Sequence, residues 1–166
     1  MDQDNQSSNT PIMMIAIIAT LVVIGLLIAL NKPALEQATT KHHQSELLGL
    51  LTAIKHVNQQ VLPMHNSEGE ADVLIDGVAV PLFNGKLRAT SSSLERGLDV
   101  AYRSIQTHHT AFDYWNMIGQ PSNSNEPRKI QLQHKEAPAN CHIIYVEAGT
   151  LDQPKAEQYI INDKGC

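Results

Sequence analysis

An uninterrupted apolar run from Ile12 to Leu30 limits this chain more than any other feature. At a rise of about 1.5 Å per residue, the run makes a helix of roughly 29 Å, the thickness of a bilayer's hydrocarbon layer. A helix buried in a soluble core would keep a polar side over so many turns, and this one has none. A removable secretory peptide would begin with basic residues and carry a shorter apolar core. The preceding segment, MDQDNQSSNT, has two aspartates and no Lys or Arg. The expectation is a retained transmembrane helix over 12–30, after a short polar leader over 1–11.

Beyond Leu30 the chain turns polar but keeps a helical rhythm. Leu47, Leu50, Leu51, Ile54, Val57 and Val61 fall on one stripe, so the helix is expected to run on, amphipathic, over 31–62 and to stop at Pro63. Residues 63–166 then form a globular head. Asp76-Gly77 between Val73-Leu74-Ile75 and Val78-Ala79-Val80 has the form of a type I′ hairpin turn. A short peripheral helix is expected from Ser91 to about His108, with Ser91 or Ser92 as its cap, Glu95 in its first turn and Gly97 weakening it. Leu94, Leu98, Ala101, Tyr102 and Ile105 form its apolar side. Gln120 to Pro127 reads as a loop. Arg128–Lys135, Cys141–Ala148 and Glu157–Asp163 read as strands joined by short turns, hence an antiparallel meander of three or four strands. The fold class is α+β, with the long helix and the sheet covering each other's apolar faces.

Cys141 and Cys166 are the two cysteines. An even count points to a disulfide in an oxidising compartment, the alternative being two free thiols in a reducing one. Lys32 and Lys41 lie after the apolar run and nothing basic precedes it, which by the positive-inside rule would keep the head in the cytoplasm. We give the cysteine pair more weight and expect a single-pass inner-membrane protein with its head in the periplasm.

The search for chemistry returns little. A net charge of −5 with 12 Lys and Arg argues against nucleic acid as a partner, since phosphate binding needs clustered positive charge. The histidines His42-His43, His56, His65, His108-His109, His134 and His142 read as solvated surface residues, because neighbouring histidines on a helix diverge. No metal, cofactor or catalytic residue is expected. Ser91 to Ser93 lacks the setting of a nucleophile, and the cysteines lack redox spacing. Asp113, Tyr114 and Trp115 form an aromatic cluster in what reads as a loop, suited either to packing or to partner contact, with packing preferred.

A membrane helix continuing as an amphipathic one, a Gly25 with a Pro33 after it, and the tail CHIIYVEAGTLDQPKAEQYIINDKGC together resemble type IV pilins and pseudopilins, the mannose-sensitive hemagglutinin pilins above all. The resemblance implies a non-enzymatic component of a type IV pilus or type II secretion system. Its partners would be other pilins or pseudopilins, inner-membrane assembly proteins and the membrane itself. It also places the prepilin cleavage junction between Pro11 and Ile12, where proline should block processing. Ala16 stands where the family has a glutamate that pairs with the freed amine of a neighbour. Losing acid and amine together strands no charge in lipid. Gly25, with Ala16, Ala19 and Ala29, would serve close helix packing, and Pro33 a kink. The competing reading is a membrane-anchored periplasmic binding or assembly factor that recognises another envelope protein.

Overall fold

The computed structural model of the protein describes residues 10–64, 68–105, 114–123, 125–150 and 152–166. They divide into two compact units, Met1–Thr39 and Thr40–Cys166. The helix α1, Thr10–His56, contributes to both. In the first unit its large apolar side chains, among the described residues, are exposed, from 47 % at Ile24 to 66 % at Leu30. A Cβ added to Gly25 would meet nothing within 4 Å. Among the described residues no single helix is long and apolar enough to cross a membrane; Ile17–Lys32 and Glu36–Gln59 meet that test only together, as a bent pair.

In the second unit α1 becomes amphipathic, and the stripe read from the sequence is buried: Leu47, Leu50, Leu51, Ile54 and Val57 all belong to the core. Each such side chain removed from water contributes about 2 kcal/mol. The side chain of Val61 lies outside the described residues. The expected α-helix to Leu62 is corrected at its end. After His56 the backbone widens into a π-helical stretch, Val57–Val61, and then tightens into a 3-10 turn, Leu62–Met64, which contains Pro63. Helical winding thus continues past the expected stop, and Asn58, four residues on from Ile54, is fully buried in the core.

Strands β1 (Glu70–Ile75) and β2 (Val78–Phe83) form the expected hairpin, with Ile75 opposite Val78. Asp76 and Gly77 take φ of 49° and 81°, as a type I′ turn demands. Asn84-Gly85 repeats the device, with φ of 50° and 71°, and leads into a short third strand, β3 (Lys86–Leu87). Asn84 also accepts from the Gly69 N–H at 2.9 Å and donates to the Ala148 carbonyl at 3.0 Å.

Helix α2 spans Ser91–Ile105. Its cap is Thr90, whose Oγ1 accepts from the Ser93 N–H at 3.3 Å, rather than Ser91 or Ser92. Nor is it peripheral, since Leu94 and Leu98 are fully buried in the common core. Gly97 allows close packing: a Cβ there would run into the side chain of Leu87, which would have to shift. The side chains of Ala101, Tyr102 and Ile105 lie outside the described residues.

The second sheet is a four-stranded antiparallel meander in the order β4 (Trp115–Gln120), β5 (Lys129–His134), β6 (His142–Val146), β7 (Gln158–Asn162). The three strands expected from the sequence are β5, β6 and β7. The supposed aromatic loop is corrected to β4, pairing Trp115 with His134 and Gln120 with Lys129. Asn116 and Gly119 make β4 a poor strand by propensity, and pairing with β5 supplies what propensity lacks. Inward-facing Ile130, Leu132, Ile143 and Tyr145 join Leu47 to Ile54 of α1, and Val57 just after it, in one core. A disulfide joins Cys141 to Cys166, tying the last residue to the approach of β6. Two antiparallel sheets with α1 and α2 make the chain α+β.

Candidate functional site

Among the described residues, a cluster of chemically capable side chains lies where α1 meets the end of β5. His43 and Glu46 are one helical turn apart, on the side of α1 that goes on to bury Leu47 and Leu50. His134 ends β5 on its inward face, continuing the alternation of Ile130 and Leu132. His43 Nδ1 and His134 Nε2 each stand 3.6 Å from the same Glu46 oxygen, Oε2. The imidazole rings are 5.1 Å apart between centroids. The histidine side chains are 5 % and 8 % exposed and that of Glu46 33 %. His42, in contrast, is solvated, and its Nε2 lies 3.3 Å from the other Glu46 oxygen, Oε1.

Aromatic rings wall the cluster. Trp115 meets His134 edge-on at 5.6 Å, and Tyr114 lies parallel to it at 6.2 Å. The Glu136 N–H donates to His134 Nδ1 at 3.3 Å. His43 Nδ1 and Glu46 Oε2 are buried and have no hydrogen-bond partner. An oxygen and a nitrogen left this way in a well-packed region are costly. Two imidazoles and one carboxylate, all within 4.8 Å, form a donor set able to hold a metal ion.

A second polar cluster is fully satisfied and structural. Asn58 donates through Nδ2 to the hydroxyls of Tyr145, at 3.1 Å, and Tyr159, at 2.9 Å. Its Oδ1 accepts from the Leu87 N–H at 2.9 Å, and its carbonyl accepts from Lys86 Nζ at 2.6 Å. Tyr145 in turn donates to the Leu87 carbonyl at 2.6 Å. One side chain from the π-helical stretch thereby pins β3, β6 and β7. Burial pushes the Tyr145 hydroxyl well above its usual pKa and the Tyr159 hydroxyl up to about 12, with the Asn58 hydrogen bond opposing both.

Glu147, also buried, is held by the N–H groups of Ala89 and Arg128 and by the Arg128 guanidinium at 3.7 Å. Ser93 is spoken for: its hydroxyl donates to the Pro81 carbonyl and accepts from the Arg88 N–H.

The reading of every histidine as solvated fails for His43 and His134, which are 4 % and 6 % exposed as residues. The available signals were the spacing of His43 and Glu46 beside Leu47 and Leu50, and the place of His134 in the inward alternation of β5. His65, His108, His109 and Asp113 lie outside the described residues. Pro11, Ile12, Ala16 and Pro33 fall within α1, but their side chains lie outside the described residues. Trp115 is 8 % exposed, as packing requires, while Tyr114 is 62 % exposed. Of the residues singled out in the sequence, Cys141 is bonded to Cys166, and His43, Tyr114 and Trp115 are gathered around His134. No protein-family model, curated protein or solved structure matches the chain.

Proposed function

We infer that the protein is a pilin-like subunit, a minor pilin or pseudopilin of a type IV pilus or type II secretion system, acting by helix packing in the inner membrane rather than by catalysis. The observation that carries this reading is α1. Its early residues present apolar side chains on every side, and its residues from Leu47 to Val57 are the floor beneath an antiparallel meander. Exposed apolar surface of that extent needs lipid or other helices to cover it. Gly25 supports the same reading, because the space beside it would let another helix approach closely. The Cys141–Cys166 bond supports a periplasmic head.

Without a glutamate at Ala16 the subunit forgoes the charge pair of the filament-forming members and packs through its small residues instead. The resemblance to the mannose-sensitive hemagglutinin pilins names the most fitting subfamily.

Photocrosslinkers placed along Ile17–Leu30 of the full chain in its native membrane test the reading. Adducts with the apolar helix of another pilin-like protein are expected. Adducts confined to the head, around Tyr114, would replace the subunit with an anchored binding factor. Intact mass of the extracted protein should show no cut between Pro11 and Ile12 and the loss of two hydrogens to the disulfide. A chain beginning at Ile12 would overturn the blocking role given to Pro11.

A further inference from the structure

The geometry points to a divalent-cation site at His43, Glu46 and His134, of the class filled by zinc and other first-row transition ions. It stands independently of the pilin reading, since every residue in it belongs to the unit Thr40–Cys166.

Three observations converge on it. The first is spacing. His43 Nδ1 and His134 Nε2 lie 3.6 Å from Glu46 Oε2, beyond hydrogen-bonding distance, yet the ligand atoms stay within 4.8 Å of one another. Two ligands each roughly 2.0–2.1 Å from a tetrahedral ion are about 3.4 Å apart, so each 3.6 Å spacing has the size of an ion between its donors, and the widest pair, within 4.8 Å, draws together to complete the shell. The second is unmet valence. His43 Nδ1 and Glu46 Oε2 are buried with no hydrogen-bond partner, and the His43 side chain is only 5 % exposed. A cation satisfies both atoms at once, which no neighbouring donor does.

The third is support. His42 approaches Glu46 Oε1 at 3.3 Å and can fix the carboxylate's orientation, while Trp115 and Tyr114 fix the ring of His134. Two imidazoles favour zinc, nickel or copper over calcium and magnesium, which take all-oxygen shells. Three protein ligands leave a fourth position to water or to a donor from another molecule. The site has one cost. Coordination through His134 Nε2 moves that ring's proton to Nδ1 and ends the 3.3 Å bond from the Glu136 N–H. Glu136 is exposed, so solvent can take over its amide. Bound metal would clasp α1 to β5 at the edge of the core.

The test uses the full chain in detergent, stripped with a chelator and titrated with zinc by calorimetry, with thermal unfolding followed in parallel. One zinc per chain and a higher Tm with metal are expected. Cobalt bound to the unaltered chain should give the strong visible absorption of a tetrahedral nitrogen and oxygen site, a readout that needs no variant. Glu46→Gln and His134→Gln should each weaken zinc by roughly tenfold or more, and His142→Gln should leave it unchanged. Circular dichroism identifies any variant that has not folded. The proposal is overturned by failure of the unaltered chain to bind zinc, by undiminished binding in folded Glu46→Gln and His134→Gln (an adventitious ion only), or by equal loss in His142→Gln.

Discussion

Two stretches of one helix, Ile17–Leu30 and Leu47–Val57, differ in what surrounds them although both are rich in Leu, Ile and Val. In the first, Leu21, Val22, Leu26 and Leu30 are each at least 60 % exposed; in the second, Ile54 and Val57 are at 0 %. The difference lies in pattern, since apolar residues lie all around the first stretch and on one face of the second. A helix apolar on all sides leaves no face that a small head could choose to cover, whereas a stripe selects one partner and one orientation. The first stretch therefore answers to its medium and the second to its own sheet. Stability measured on the head should be sensitive to one and blind to the other.

Truncation makes the contrast sharpest. Ile54→Ala should cost the head about 2–5 kcal/mol in urea unfolding, because its side chain is fully buried in the common core. Ile24→Ala should change the same midpoint by less than about 0.5 kcal/mol. Equal losses at the two positions would break the comparison. Next in size, reducing Cys141–Cys166, which are 25 residues apart, should remove about 3.5 kcal/mol from the head's stability. The helical signal of the first stretch should survive. A melt in which both stretches go together would show that they are coupled.

The smallest effect is alkaline. An unfolded tyrosine releases its proton near pH 10.0, whereas the folded Tyr159 holds its proton to about 12. Between those values the unfolded chain binds fewer protons than the folded one, so stability complete below pH 10 falls as pH rises towards 12. The raised pKa of Tyr145 acts in the same direction. Tyr159→Phe should flatten the decline between about pH 10 and 12 in urea midpoints. An unchanged slope would remove Tyr159 from the network that anchors the end of α1.

Patterns carried by neighbouring residues were legible in the sequence. The leucine stripe from Leu47 to Val57, the Asp76-Gly77 turn, the alternation in β5 and the strands β6 and β7 each depend on local spacing, and each reappears at its expected position. Features decided by distant partners were misread. β4 is a strand because β5 pairs with it, and α2 is buried because β2 and β3 lie beneath it; neither partner is legible from the segment itself. The candidate metal site is the extreme case. Half of it, His43 with Glu46, is a local helical spacing, but its meaning depends on His134, which the meander delivers from the far end of β5.

Sequence alone therefore determined where the chain is apolar, where it turns and which face of each element avoids water, since those preferences follow from side chains and their period along the backbone. Only the tertiary structure decided which faces meet. It set Asn58 between Tyr145 and Tyr159, and His134 across from His43 and Glu46. Burial of an apolar face specifies no partner, and the polar atoms carried inside with it take whatever neighbours the packing brings.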